Sequence, residues 1–520
     1  MPGLDLKLYI PPAARTILEY GSQASRIYTQ RIHPGSHWLQ GEDGKVPAVR
    51  CDCLLYGAGI AAAAGNLAVF ARQISMLADG GQVVCDVQNS RYLCGIFREW
   101  PGCREFLLQD ILAVLQQSGI RVFEIRPYFE QSIKEVMQQP EIQAAVRLLA
   151  EKFSAGGQPE ETKWQAGWII RGIRGELPRR LSIQAIMGET LVCSRVRLQE
   201  PHAFCRTVPG IRIVEQPAQQ MTAIEPAPAD GDGVVIRQRI SLQRQELPAY
   251  LQGIRSHRLL SVAEFDDDPH HWPVYEETGF LTFRACHAVQ VSTEPLAAFL
   301  REFNPHVRVF ANQMRFLPPP RSYQDERIVL FFGALNREAD WQPLLPALNA
   351  ILEHYADRLL LRVVYDQQFF AALATKNKEF FPFLPYERYL QVLRSADIAI
   401  LPLGDTPFNR MKSDLKYIES AACGAAVLAS PTVYADTIID GSTGFIFDCP
   451  ERFALLLSRL IADPVLRRKA AQHAYCYVAQ ERMLYQHYAK RLDWYRELCA
   501  KLPELDAELM QRLREAKEIV

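Results

Sequence analysis

The stretch LPLGDTPFNRMKSDLKYIESAACGAAVLASP, residues 401–431, reads as strand end, loop, helix and strand in succession. IAILPL is a short apolar run of the kind that forms a buried strand. GDTPFNRMK is rich in turn formers, and Ser413 or Asp414 can cap a helix behind it. The helix DLKYIESAAC stops at Gly424, a good C-terminal cap, and AAVLASP is the next strand. Lys412, Lys416 and Glu419 recur at i, i+4 and i+7 and share one face, while Leu415, Ile418 and Ala422 share another. The apolar face packs on a sheet, so the charged face looks into a cleft. Lysines beside a helix N-terminus suit phosphate, and a carboxylate two turns further in can accept both hydrogen bonds of a ribose diol. The same pattern also fits a solvated Lys–Glu face with weak pairing along the helix. Spacing alone leaves both open.

Outward from this stretch the rhythm is α/β. The runs RIVLFFGAL, RLLLRVVYD, DIAILPL, AAVLASP and GFIFD are strands with helices between them. A Pro-rich linker, LPPPRSYQDE (317–326), precedes this unit. Before the linker come GVVIRQR, RLLSVAEFDD, HAVQVST and VRVFAN, again separated by helices. Residues 131 to about 190, including ETKWQAGWIIRGIRG, read as helices. The first 130 residues alternate strands (RTILEYG, CDCLLYGAG, QVVCDVQN, IRVFEIRPYF) with helices (LAVFARQISMLADGG, closed by Gly80-Gly81, and FLLQDILAVLQQSG). The expected fold class is therefore α/β, with two Rossmann-like lobes in tandem behind a further Rossmann-like domain and a helical connector. The boundaries are 1–130, 131–194, 195–322, 323–495 and 496–520. Ligands of open parallel sheets sit at the carboxyl ends of the strands, so a cleft between the two lobes is the expected site.

The bulk numbers set limits. The chain has 520 residues, 48% hydrophobic and 22% charged, with net charge −1. That length exceeds one core. No global field draws the chain to nucleic acid or to an anionic membrane. Twelve cysteines include no C-x-x-C pair, and Cys51 and Cys53 have poor spacing for zinc or a disulfide. They read as reduced, mostly buried thiols of a cytoplasmic protein. No apolar run reaches membrane-spanning length. The terminal ELDAELMQRLREAKEIV reads as a solvated helix, with pairing to a second copy as the alternative.

SVAEFDDDPHHWPVY, residues 261–275, is the second chemically dense stretch. Asp266, Asp267 and Asp268 follow an apolar run, then His270 and His271. A metal site, a catalytic carboxylate cluster and an acidic strand end are the three readings. As the end of the strand LLSVAEFDD, it would place Asp266, Asp267 or His271 where a carboxylate or imidazole can take a proton from a hydroxyl. Asp268-Pro269 would then start a turn.

KYIESAACGAAVLASPTVYADTIIDGSTGFIF, with its run Glu-x4-Gly-x-x-Val-x-x-Ser and then Asp-Gly-x-x-Gly, resembles the C-terminal lobe of glycosyltransferase family 4, of GT-B fold. The resemblance covers residues 327–490 well and reaches more weakly back to about 195. It implies transfer of a sugar from a nucleotide-sugar donor to a glycan, glycoconjugate or protein acceptor. It also implies a retaining outcome and no metal or other cofactor. The donor contacts it implies are Gly333, Asn336, Arg337, Asn409, Lys412, Ser413, Lys416, Glu419, Ser430 and Thr432. Arg337 and Lys412 would stabilise the leaving diphosphate, and Asp266, Asp267 and His271 are the candidates on the acceptor side. A metal role for the aspartates is set aside, because the Lys/Glu helix puts the donor in the other lobe. Glu419 resembles the second glutamate of a Glu-x7-Glu motif. Met411 stands where the first belongs, leaving Asp405, Asp414 or Asn409 to replace it. FPFLPYERYL lies where such enzymes hold the base.

ARTILEYGSQASRIYTQ and ISMLADGGQVVCDVQNSRY resemble class I S-adenosylmethionine methyltransferases. The cofactor turn, Tyr20 to Ser25, has one glycine, and the acidic strand is shortened or absent. The resemblance implies a vestigial methyltransferase-like domain in which Gly21, Ser22 and Gln23 make no cofactor contact. The rival readings are a bifunctional methyltransferase–glycosyltransferase and a non-catalytic nucleotide- or glycan-binding scaffold.

Overall fold

A computed structural model describes residues 14–20, 37–42, 44–46, 48–56, 64–88, 108–128, 167–188, 192–220, 223–323 and 327–518. The turn at Gly21, Ser22 and Gln23 lies outside the described residues. The chain divides into two compact units, Met1–Arg179 with Arg206–Ile211, and Arg180–Cys205 with Arg212–Val520. The α/β class expected from the sequence is the observed one, built on three six-stranded sheets.

The first unit carries strands β1 (Thr16–Tyr20), β2 (His37–Gln40), β3 (Cys51–Tyr56), β4 (Leu77–Gln88), β5 (Ile120–Tyr128) and β6 (Gly167–Arg174) in the order β2-β1-β3-β4-β6-β5. The first four are parallel neighbours. β6 runs antiparallel to both β4 and β5. Helices α1 (Leu67–Ser75) and α2 (Leu108–Gln117) pack Phe70, Ile74, Ile111 and Leu115 into its core. Two readings of the sequence are corrected here. Gly167–Arg174, taken for helix, is a strand; the buried Arg171 and Gly172 interrupt its apolar residues, so the alternation that marks a strand is missing from its sequence. Gly80-Gly81 does not close a helix; α1 ends at Ser75 and the two glycines lie inside β4. A register shift between Cys51 and Cys53 sends Cys51 to pack with Leu54 and Tyr56 and Cys53 to pack with Leu55 and Val84.

The second unit holds two lobes. The first has β7 (Arg180–Met187), β8 (Ile211–Pro217), β9 (Gly231–Gln238), β10 (Leu259–Phe265), β11 (Ala288–Val291) and β12 (Val307–Val309), in the order β12-β11-β10-β9-β7-β8. β7 lies within the stretch read as a helical connector, yet it pairs in parallel with β9 along its whole length. The second lobe has β13 (Ile328–Gly333), β14 (Leu359–Val364), β15 (Lys378–Phe381), β16 (Ile398–Leu401), β17 (Ala426–Ala429) and β18 (Phe445–Ile446), all parallel, in the order β15-β14-β13-β16-β17-β18. The order reverses between β13 and β16, which opens a crevice at their carboxyl ends.

Helix α3 (Glu200–Cys205) follows a π-helical turn, Arg195–Gln199, in the first lobe. Helices α4 (Tyr386–Arg394), α5 (Leu415–Ala422) and α6 (Pro464–Glu481) belong to the second. The chain then crosses back. Helix α7 (Tyr488–Ala500) gives the Tyr495 hydroxyl to Gln290 on β11. Helix α8 (Leu502–Glu515) buries Leu509 and Leu513 with Ile186, Val235 and Leu259 of the first lobe. The terminal helix is thus a core element of that lobe and not a solvated one. Among the described residues, no helix is long and apolar enough to cross a membrane.

Candidate active site in the interlobe cleft

The crevice of the second lobe is built by its loops. After β13 the backbone turns through Asn336 at φ +54, a conformation asparagine tolerates. That turn sets Arg337 at the head of a short helix, Glu338–Trp341. Arg337 Nη1 donates to Asn409 Oδ1 at 2.7 Å and to Asp340 Oδ2 at 3.2 Å. Asn409 sits on a one-turn helix after β16, capped by Thr406, and is itself buried. Asp340 Oδ1 accepts from the Gly404 N–H at 2.8 Å. Asp340 therefore ties the loop after β13 to the loop after β16 and holds Arg337 in place.

Helix α5 presents the next groups. Lys412 precedes it, in the loop, and is not on the helix as the periodicity suggested. The α5 N-cap is Asp414, but its carboxylate takes Arg482 at 2.6 and 2.9 Å and Thr437 at 2.8 Å instead of the helix N–H groups. Gly424 sits at φ +79 past the C-cap Cys423, as a helix stop requires. Ile418 and Ala422 face the core as expected. Lys416 Nζ donates to the Gly333 carbonyl at the end of β13. A Cβ at Gly333 would stand 2.7 Å from the Phe331 ring, so only glycine lets the strand end approach so closely. Glu419 is buried, and Tyr386 at the start of α4 donates its hydroxyl to Glu419 Oε1 at 2.7 Å.

The first lobe answers from the carboxyl ends of β9 and β10. Both carboxylate oxygens of Asp267 accept from Lys412 Nζ at 2.9 Å, across the cleft, and Oδ1 also accepts from the Asp268 N–H at 3.0 Å. Lys412 also lies 4.1 Å above the Phe408 ring. Asp266 accepts from Arg239 Nε at 2.8 Å, and Arg239 Nη2 is 3.9 Å from Asp267. The chain Asp266–Arg239–Asp267–Lys412 alternates in sign from one lobe to the other. Asp268 caps the turn Pro269–His271. His271 is exposed, with its ring 5.2 Å from that of Phe408 in the facing lobe. So Asp266, Asp267, His271, Arg337, Asn409, Lys412, Lys416 and Glu419 converge on one cleft.

Burial dominates the electrostatics. It pushes the Glu419 carboxyl up to about 7, against the hydrogen bond from Tyr386 and the charge of Lys416. It lowers Lys416, with Glu419 pulling the other way. It lowers Lys412 too, opposed by Asp267.

Ser413, Ser430 and Thr432 are placed differently. Ser413 Oγ accepts from Asn312 Nδ2 at 2.8 Å. The Ser430 hydroxyl accepts from the Leu403 N–H and donates to the Leu403 carbonyl, both at 2.9 Å, so it staples β17 to β16. Thr432 is buried. Met411 packs against the aromatic core of the first lobe, and its carbonyl accepts from Thr293.

Residues 345–495 match the glycosyl transferase-like family model. No curated protein matches the chain. Among solved structures, TarM of S. aureus aligns at 9% identity and TM-score 0.40, over 51% of this chain and 54% of its own. This chain thus spans about half the length of TarM. Anabaena HepE, crystallised with UDP-glucose, aligns at 14% identity and TM-score 0.42, over 61% of this chain and 100% of its own. Sucrose-phosphate synthase from Thermosynechococcus elongatus aligns at 17% and TM-score 0.44, over 62% and 100%.

Four site residues escaped the sequence reading. Arg239 follows β9 at φ +51, and no local pattern marks it. Asp340 acts through Arg337, Asn409 and the Gly404 N–H. Tyr386 and Tyr389 were seen only as part of a base-side segment, although their i, i+3 spacing at a helix start does put both on one face. That face is the one Glu419 meets.

Proposed function

We propose that this chain is a GT-B glycosyltransferase that moves a sugar from a nucleotide-sugar donor to a hydroxyl of a glycan, glycoconjugate or protein acceptor. The observation that carries the reading is the convergence of Arg337, Lys412, Lys416 and Glu419 at the carboxyl ends of β13 and β16 and on α5. Most of that set lies in the segment matching the glycosyl transferase-like model. In this reading Glu419 accepts from the ribose diol. Arg337 and Lys412 take the diphosphate and stabilise the charge that grows on it as the glycosidic bond breaks. Lys412 leaves Asp267 for the phosphates, and Asp267 keeps Arg239 as its neighbour. Asp266, Asp267 and His271 face the acceptor hydroxyl from the other lobe. Transfer is retaining and needs no metal, since side-chain cations occupy the diphosphate position.

In the first unit we propose a methyltransferase-like domain without methyl transfer. Its strand order reverses beside β1, as in cofactor-binding sheets. Tyr20 and Tyr56, at the carboxyl ends of β1 and β3, stack on each other at 5.2 Å within the core.

One observation favours a scaffold as the second reading. Met411 turns into the first lobe's core, so no carboxylate stands at that position of the motif. The deciding experiment is a panel of UDP-, GDP-, dTDP- and CMP-sugars, with S-adenosylmethionine included, scored for binding and slow donor hydrolysis. One sugar nucleotide bound and hydrolysed is the expected result. Binding without turnover supports the scaffold, no binding at all removes the donor site, and a methyl-donor hit reverses the reading of the first unit.

A further inference from the structure

The Glu419 carboxylate is not presented by α5 alone. Tyr386 donates to it at 2.7 Å, and Tyr389, one turn on, faces the same carboxylate. The two tyrosine rings lie nearly parallel, 15° apart. Over the Tyr386 ring, 4.7 Å from its centre, sits the guanidinium of Arg195. Arg195 comes from the other lobe, on the π-helical turn before α3, a local distortion often found at functional positions. Its Nε donates to the buried Glu200 at 3.0 Å, and its Nη2 pairs with Glu387 of α4 at 2.6 Å. One planar side chain thus anchors in the first lobe, grips the second, and covers the tyrosine that holds Glu419.

We propose that Arg195 is a positioning residue for the donor ribose, acting from the opposite lobe through Tyr386 on Glu419. The proposal rests on Glu419 being the ribose contact. A cation over the face of a phenol draws electron density from the ring and makes its hydroxyl a stronger donor. A stronger donor favours the ionised carboxylate, the form that accepts hydrogen bonds from a diol. The fork of Arg195 also fixes the ring, because both ends of the guanidinium are held. Ribose capture in one lobe is therefore coupled to the placement of the other. The groups facing Glu419 are Tyr386 and Tyr389 from α4, Lys416 and Cys423 from its own helix and the segment after it, Tyr434 from the loop after β17, and Glu200 from α3.

The test is the pH dependence of sugar-nucleotide affinity, measured by calorimetry on the full chain. UDP-glucose and GDP-mannose are the probes, since their esterified diphosphates do not titrate near neutrality. In the unaltered protein, affinity rises with pH to a midpoint near 7, where Glu419 ionises. Tyr386→Phe moves the midpoint up by about one pH unit, the worth of one lost hydrogen bond to the charged form. Arg195→Lys keeps a charge beside Glu200 but loses the fork, and moves the midpoint the same way by less. Combined with Tyr386→Phe, Arg195→Lys adds nothing, because its effect passes through the hydroxyl. Glu387→Gln, at an exposed position that leaves the fold intact, reproduces the Arg195→Lys shift. An unchanged midpoint in Arg195→Lys and Glu387→Gln, or shifts that add to that of Tyr386→Phe, overturns the proposal and leaves the donor site standing. Where the unaltered chain binds neither, the probe is the dTDP- or CMP-sugar that it does bind, and a chain that binds none of the four classes overturns the donor-site reading and this proposal together.

Discussion

At the scale of single residues, Glu419 and Asp267 carry the sharpest expectations. Glu419 is a buried acid whose folded pKa stands near 7, above its ordinary 4.5. A carboxyl raised in this way is protonated in both folded and unfolded states at low pH. Its ionisation then costs the fold as pH rises through the folded value. Glu419→Gln removes that cost. Its melting temperature matches that of the parent at pH 4, below the unfolded value, and exceeds it at pH 8, while sugar-nucleotide affinity falls about tenfold with the lost charge-assisted bond. Thermal melts at the two pH values, with calorimetry at pH 8, check both halves. A parent more stable than the variant at pH 8 would sink the assignment of burial as the dominant effect. Asp267 pairs with Lys412, the cation that the proposed diphosphate would have to take from it. Asp267→Asn weakens that rival pair, so affinity for UDP-glucose rises severalfold while transfer slows. The two readouts moving together would count against a shared role for Lys412.

At the scale of elements, α5 is where sequence and structure agree best. Its strand–loop–helix–strand succession, its apolar face and its Gly424 stop were all legible in residues 401–431. Gly424 at φ +79 also meets Arg321 Cβ, which would lie 3.2 Å from an added methyl. Gly424→Ala therefore destabilises the protein by about 1 kcal/mol, seen as a lower urea midpoint with sugar-nucleotide affinity unchanged. Lost affinity at full stability would mean that the cap does more than end the helix. Elsewhere the legibility fails for identifiable reasons. β6 hides because Arg171 and Gly172 interrupt its apolar residues, whereas β7 does alternate, Leu181, Ile183 and Ala185 against Ser182 and Gln184, and was legible as a strand. Lys412 was placed on the helix because i, i+4 spacing continues upstream of Asp414, whereas the chain there is a loop stapled through Ser413 to Asn312. Ser430 looked like a phosphate contact because it ends a strand; its hydroxyl is spent on Leu403. Arg195 and Arg239 meet the site only through tertiary placement, which no local spacing records.

At the scale of the second unit, the chain's end completes its beginning. β7 and α8 lie over 300 residues apart in sequence, yet Leu509 and Leu513 share a core with Ile186 on β7. Polar ties reinforce the seam: His287 Nε2 with Asp506 at 2.9 Å, and Arg512 Nη2 with the Cys286 carbonyl at 2.6 Å. The second lobe has its own closed core, from Leu330 and Leu361 to Phe453 and Leu457, and includes nothing from α8. The lobe that offers Asp266 and Asp267 therefore depends on the last helix, while the lobe that offers Arg337 and Glu419 does not. Leu509→Ala leaves a cavity in the first lobe and costs about 3 kcal/mol. Its consequence is uneven. Hydrogen exchange accelerates in β7, β9 and β10 but not in β13 to β17, and transfer falls with temperature before sugar-nucleotide binding does. Exchange that quickens equally in both sheets would show that the lobes unfold as one body, and the separate dependence of the acceptor side on α8 would be wrong.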